Sequence, residues 1–160
     1  MVQNKTSQDG IALIKRNEGL YLQSYICPAG VLTIGYGHTG QDVKPNMVIS
    51  TAEAELLLRK DLLRFERVIL NIERVNDLDL NQNQFDALVS FAFNVGKYNL
   101  LHSTLLKMII ANKDDMKNIS REWIKWIHGA GVPLRGLLKR RMMEMMLYFG
   151  VEDELFIFAD

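Results

Sequence analysis

The chain has 160 residues, enough for one domain with a substantial core. Its 48% apolar and 24% charged content is that of a globular protein and excludes a disordered or fibrous chain. Nineteen basic and nineteen acidic side chains cancel, so no global field recruits nucleic acid or an anionic membrane, and no apolar run is long enough to insert in a bilayer.

The first nine residues lack an apolar core, so no signal peptide is expected. Thr6-Ser7-Gln8-Asp9 reads as a helix start, with a hydroxyl cap at Thr6 and an acid three positions on. The helix carries Ile11, Leu13 and Ile14 and ends near Glu18-Gly19, where glycine suits a left-handed exit. From Leu20 to about Met47, glycines and prolines punctuate two β-type runs, 21–26 and 31–36, which predict a hairpin or small antiparallel sheet. Cys27 lies at the turn between them. It is the only cysteine, which forbids an intrachain disulfide and fits a reducing compartment.

Ser50-Thr51-Ala52-Glu53 is a capping box. The long helix after it stripes Leu58, Leu62, Phe65, Ile69 and Ile72 on one face. Asn81 with Gln84 opens another helix, burying Phe85, Leu88, Val89 and Ala92 and stopping at Gly96. Ser103 caps a short helix to about Ala111, and a segment near 119–127 holds Trp123 and Trp126 on one helix face, as core. Pro133 suits the first position of a last helix ending near Gly150. Arg135, Lys139, Arg140 and Arg141 cluster on it, and Glu152, Asp153, Glu154 and Asp160 form an acidic tail. The pattern predicts an α+β fold in one domain, residues 1–160. A β-rich lobe covers about 19–48, a helical lobe about 76–150 plus the N-terminal helix, and the helix after Ser50 joins them. A ligand cleft is expected between the lobes.

Three reactive side chains fall within sixteen positions: Glu18, then Cys27, then Thr33. A carboxyl at a helix C-terminus meets the negative end of the dipole, and a cleft partly desolvates it. Both favour the protonated form that a general acid needs. Glycoside hydrolysis ordinarily needs a second carboxylate across the cleft. Position 27 offers a thiol there, and Thr33 a hydroxyl able to hold water. Taken singly, each has a plainer reading: a solvated Glu, a packed Cys, an ordinary strand Thr.

The spacing Glu18, eight residues, Cys27, five residues, Thr33 resembles the catalytic pattern of phage-type lysozymes (endolysins), which place Asp or Cys at the middle position. The flanks Glu18-Gly19-Leu20 and Thr33-Ile34-Gly35-Tyr36-Gly37-His38-Thr39-Gly40 also resemble that family. So do the stretch from Gln84 to Gly96 and Gly136-Leu137-Leu138-Lys139-Arg140-Arg141-Met142-Met143-Glu144. The resemblance implies a lysozyme-like fold and a muramidase that cuts the β-1,4 bond between N-acetylmuramic acid and N-acetylglucosamine in bacterial peptidoglycan. It implies Glu18 as general acid, Cys27 as base or nucleophile, and Thr33 as the holder of the water. Phe93, Thr104 and Thr39 would line the saccharide cleft. Arg140 or Arg141 would pair with Glu18, and His38 would be structural, through a buried hydrogen bond.

Cys27 departs from the commoner Asp, and three roles stay open: base, nucleophile forming a thioglycoside, or bystander. Two rival functions follow. One is a lytic transglycosylase using Glu18 alone, with the sugar's own C6 hydroxyl as nucleophile; the other is an inactive wall-binding relic. No cofactor or metal is expected, because His38, His102 and His128 lack ligand spacing. The resemblance also implies a monomer held in the host bacterial cytoplasm until holin-type help releases it to the wall.

Overall fold

The computed structural model describes residues 5–151. The first four positions and the acidic tail at Glu152, Asp153, Glu154 and Asp160 lie outside the described residues.

Helix α1 spans Gln8–Glu18. The sequence favours Thr6 as its cap, but the cap is Ser7, whose side chain accepts from Gly10 N. The reason is tertiary. Asp86 takes the Ser7 backbone N–H at 3.0 Å and its hydroxyl, while Thr6 N and Oγ1 both donate to buried Glu66 at 2.8 Å. The entry of α1 is thus pinned by carboxylates on two other helices, and Ile11, Leu13 and Ile14 turn inward as expected.

Three antiparallel strands follow: β1 Tyr21–Ile26, β2 Leu32–Gly35 and β3 His38–Thr39, in that order across the sheet. Strand β2 is shorter than the apolar run, because Gly35 at φ 66° ends it. A Cβ at Gly35 would stand 3.4 Å from that of Ala54, so glycine also lets the sheet lie on the next helix.

Helix α2, Thr51–Asn76, starts from the full capping box between Ser50 and Glu53. Leu58, Leu62, Phe65, Ile69 and Ile72 are all buried. It packs on β2 and β3 and also on α3, Gln82–Val95, so it connects sheet and helices as its amphipathic stripe predicts. Helix α3 is buried at every position from Gln84 to Ala92 and packs on α1, α2 and α7. A helix buried all round is the centre of a core, and the rest of the helical part is arranged about it.

The remainder is α4 Lys97–His102, α5 Thr104–Ala111, α6 Met116–Trp123, strands β4 His128–Gly129 and β5 Val132–Pro133, and α7 Arg135–Phe149. Two sequence expectations are corrected here. Pro133 does not begin the last helix; it pairs with His128 in a hairpin, and Leu134 N donates to Ile127 O at 2.8 Å before α7 starts. The turn is made by Ala130 and Gly131, both at positive φ, which matches the twist of a two-residue hairpin. Nor do the two tryptophans share a helix face. Trp123 ends α6 and is fully buried, whereas Trp126 lies beyond the helix and packs edge-on against Phe91, 5.5 Å between centroids. Both still serve the core.

Candidate active site

Glycine ends α1 and leaves Glu18 as its last residue. Gly19 takes φ 74°, and its N–H closes the helix on Lys15 O at 3.1 Å. The Glu18 side chain is 21% exposed, so it is reachable but held. What holds it comes from 122 residues away: Arg140 Nη1 donates to Glu18 Oε1 at 2.5 Å. The choice that the sequence leaves open between Arg140 and Arg141 therefore falls on Arg140. Arg141 instead donates to Asn94 Oδ1 at 2.9 Å and to Glu144 Oε1 at 3.1 Å. On the other oxygen, Gly37 comes so close that a Cβ there would be 3.5 Å from Glu18 Oε2. Its φ of 87° also favours glycine, so the turn between β2 and β3 can lie against the carboxyl.

Cys27 sits in the β1–β2 turn, half-exposed. Pro28 and Ala29 form the corner, with Gly30 N donating to Cys27 O at 2.8 Å and Cys27 N to Val31 O at 2.9 Å. Hydrogen bonds pull the thiol below its ordinary range, the Val31 backbone most, then the Thr33 side chain, then the Ala29 backbone. Thr33 is buried and its hydroxyl donates to Val31 O at 3.0 Å. That one hydrogen serves either Val31 O or the sulfur at a given moment, leaving lone pairs for a water.

Strand register supplies the rest of the arrangement. Tyr25 faces Thr33, and Thr33 faces Thr39, so these three form one row across the sheet on the same face. Burial raises the Tyr25 phenol most, and its ring lies against that of Tyr21, 4.3 Å between centroids. Nothing in the sequence singles out Tyr25 or Gly37; the cross-strand register and the turn expose them.

Of the cleft-lining candidates, Thr39 lies in the row with Thr33 and is exposed. Phe93 is on the last turn of α3, half-buried, its ring edge-on to Phe65 at 5.4 Å. Thr104 is exposed at the start of α5, and no described interaction joins it to the Glu18 group. His38 is buried, its Nδ1 2.8 Å from Asp61 and its Nε2 3.2 Å from Asp42, which is the structural role expected of it. Two pockets, one of about 470 Å³ between α1 and α7 and one of about 190 Å³ beside α2, include none of these residues. The site is marked by its chemistry, a carboxyl hydrogen-bonded to a guanidinium together with a thiol and a hydroxyl on the hairpin that follows it, rather than by depth.

Comparison with known proteins gives a consistent result. A model of the phage lysozyme family matches residues 15–144. The chain is 42% identical to the endolysin of Bacillus phage B103 over 92% of its own length, but it spans only 55% of that relative. It is 40% identical to the endolysin of Acyrthosiphon pisum secondary endosymbiont phage 1, over 89% of this chain and 96% of the relative. Other relatives carry the name SAR-endolysin. Among solved structures, the muramidase domain of SpmX from Asticcacaulis excentricus superposes with a TM-score of 0.80 at 34% identity, covering 91% of this chain and 98% of that one.

Proposed function

The chain belongs to the phage lysozyme family, and from that membership we propose that it degrades bacterial peptidoglycan by cutting the β-1,4 bond between N-acetylmuramic acid and N-acetylglucosamine. The observation that carries the reading is the Glu18 carboxyl, fixed at the end of α1 by Arg140 and backed by Gly37, with the thiol and hydroxyl on the β1–β2 hairpin that follows it in the chain. Glu18 protonates the leaving glycosidic oxygen. Cys27, its thiolate favoured by the Val31 and Thr33 hydrogen bonds, takes the proton of a water or attacks the anomeric carbon, and Thr33 holds the water. Thr39 and Phe93 border the saccharide, with Thr104 farther along.

Digestion of purified peptidoglycan followed by mass spectrometry of the new ends tests this. Hydrolysis yields reducing N-acetylmuramic acid; 1,6-anhydro ends would replace it with the transglycosylase reading, and no new ends would leave a wall-binding relic. No metal enters the scheme, so lysis survives chelation. A chelator-sensitive activity restored by a divalent ion would contradict that. For delivery, we propose that the protein waits in the cytoplasm for holin-type release, acting as a monomer. The SAR-endolysin names among its relatives supply the rival route. Lysis that persists without a holin in the expressing cell would favour the rival.

A further inference from the structure

Glu144 is fully buried, yet it is ionisable, and burying a carboxylate is unfavourable unless every oxygen is met. Its oxygens are met from three helices. Oε1 accepts from Ser90 Oγ at 2.8 Å, Arg140 Nε at 3.1 Å and Arg141 Nη2 at 3.1 Å. Oε2 accepts from Trp123 Nε1 at 3.0 Å, and Arg141 Nε stands 3.0 Å away, off line for a hydrogen bond.

Arg140 shows what this anchor does. The residue is 4% exposed and each of its guanidinium nitrogens has one acceptor: Nε on Glu144, Nη2 on the Ser90 carbonyl at 3.1 Å, and Nη1 on Glu18. A guanidinium is planar, so fixing Nε and Nη2 fixes the line along which Nη1 points. That line ends on Glu18 Oε1. The Ser90 acceptor is backbone of the central helix; Glu144 is the side chain that completes the clamp.

We propose that Glu144 is a positioning residue of the reaction, holding Arg140 in the one orientation that sets the Glu18 carboxyl against the substrate. This rests on the reading of Glu18 as the general acid. A purely structural alternative is that Glu144 only neutralises Arg141. Burial lowers that guanidinium to about 10, and Glu144 is the chief group opposing the shift.

The two separate in kinetics. Glu144→Gln keeps the reach but loses the charge; Glu144→Asp keeps the charge but draws back from Arg140. Each is compared with Arg140→Met, with the double variant Arg140→Met/Glu144→Gln and with Glu18→Gln on soluble peptidoglycan fragments, well below the unfolding temperature. Positioning predicts that the Glu144 variants lose kcat roughly 10- to 100-fold, as when a catalytic group moves by about an ångström, with KM within about twofold. It also predicts that the double variant is no slower than Arg140→Met alone, because both substitutions remove the same clamp. The inference is overturned if a folded Glu144→Gln or Glu144→Asp protein keeps kcat, or if the losses multiply in the double variant. If neither Glu144 variant folds, the clamp is tested through Ser90→Ala, which removes one donor to the same oxygen. A kcat loss there that vanishes in the Arg140→Met background supports positioning, and an unchanged kcat overturns it. Should Glu18→Gln itself stay active, the reading of the site fails and this inference fails with it. An inactive Glu18→Gln beside fully active Glu144 variants sinks the inference alone.

Discussion

Glu18→Gln keeps the volume of the side chain and an acceptor for Arg140 Nη1, but it cannot give a proton to a leaving oxygen. We expect lysis to fall by about 10²–10⁴-fold, the usual share of general acid catalysis, with thermal unfolding close to the parent's. Turbidity of purified walls and calorimetry check the two halves; a variant that lyses near the parent rate removes Glu18 from the mechanism. Cys27 is tested by pH. Its thiol ionises below the ordinary range because the Val31 backbone and then the Thr33 side chain hydrogen-bond to it. If the thiolate is the working form, the parent's activity climbs as pH rises through that lowered value. Cys27→Asp is already ionised well below neutrality, so its profile lacks the climb and its activity is kept or raised. Cys27→Ala, with neither base nor nucleophile, falls roughly 10²-fold. An unchanged specific rate in the Ala variant makes Cys27 a packing residue and favours the single-acid transglycosylase.

Helix starts are the features most legible in this sequence, because their signals are local. Ser50 with Glu53 and Asn81 with Gln84 form full capping boxes where the spacing places them. The Ser50 backbone and side chain hold the Glu53 carboxyl below its usual range. A carboxyl whose folded pKa is depressed contributes stability above its unfolded pKa and loses it as pH falls through the folded value. Glu53→Ala should therefore lower Tm at neutral pH, and the gap to the parent should close in acid; a gap constant with pH would exclude the charge as its source. Thr6 and Pro133 were illegible for different reasons, one non-local and one local. The choice of Ser7 over Thr6 depends on Asp86 and Glu66, 79 and 60 positions away. The hairpin before α7 was hidden because Ala130, at φ 50°, stands where Asn or Gly would signal the turn. That strain is testable: Ala130→Asn should stabilise the protein by up to about 1 kcal/mol in urea unfolding, since Asn tolerates the left-handed region. A loss of stability would mean that Ala130 is not held there in solution. In the candidate site, the Glu18, Cys27 and Thr33 spacing stood out in the sequence through the family resemblance, whereas the clamp behind Glu18 needed the packing of α7 on α3.

At the scale of the whole molecule, the site exists only when distant parts of the chain meet. Glu18 ends the first helix, its guanidinium partner lies on the last, the thiol lies in the β1–β2 turn and the hydroxyl on β2. Helix α3 stands under this assembly, packed on α1, α2 and α7, with α2 carrying the contact on to β2 and β3. We propose from this that the described residues, 5–151, unfold as one unit, the β-rich part included. Leu88, fully buried on α3, is the place to apply the load. Leu88→Ala leaves a cavity in a core with no free surface to collapse into, and should destabilise by about 2–5 kcal/mol. In one cooperative unit that loss spreads everywhere. The amide of Ile34 on β2, which does not belong to α3, should then exchange faster by the same factor as the most protected amides of α3, whenever exchange proceeds by global opening. Native-state hydrogen exchange on parent and variant measures both. If Ile34 keeps its parental rate while the α3 amides accelerate, the sheet opens on its own, and the thiol and hydroxyl are carried by a separately stable lobe.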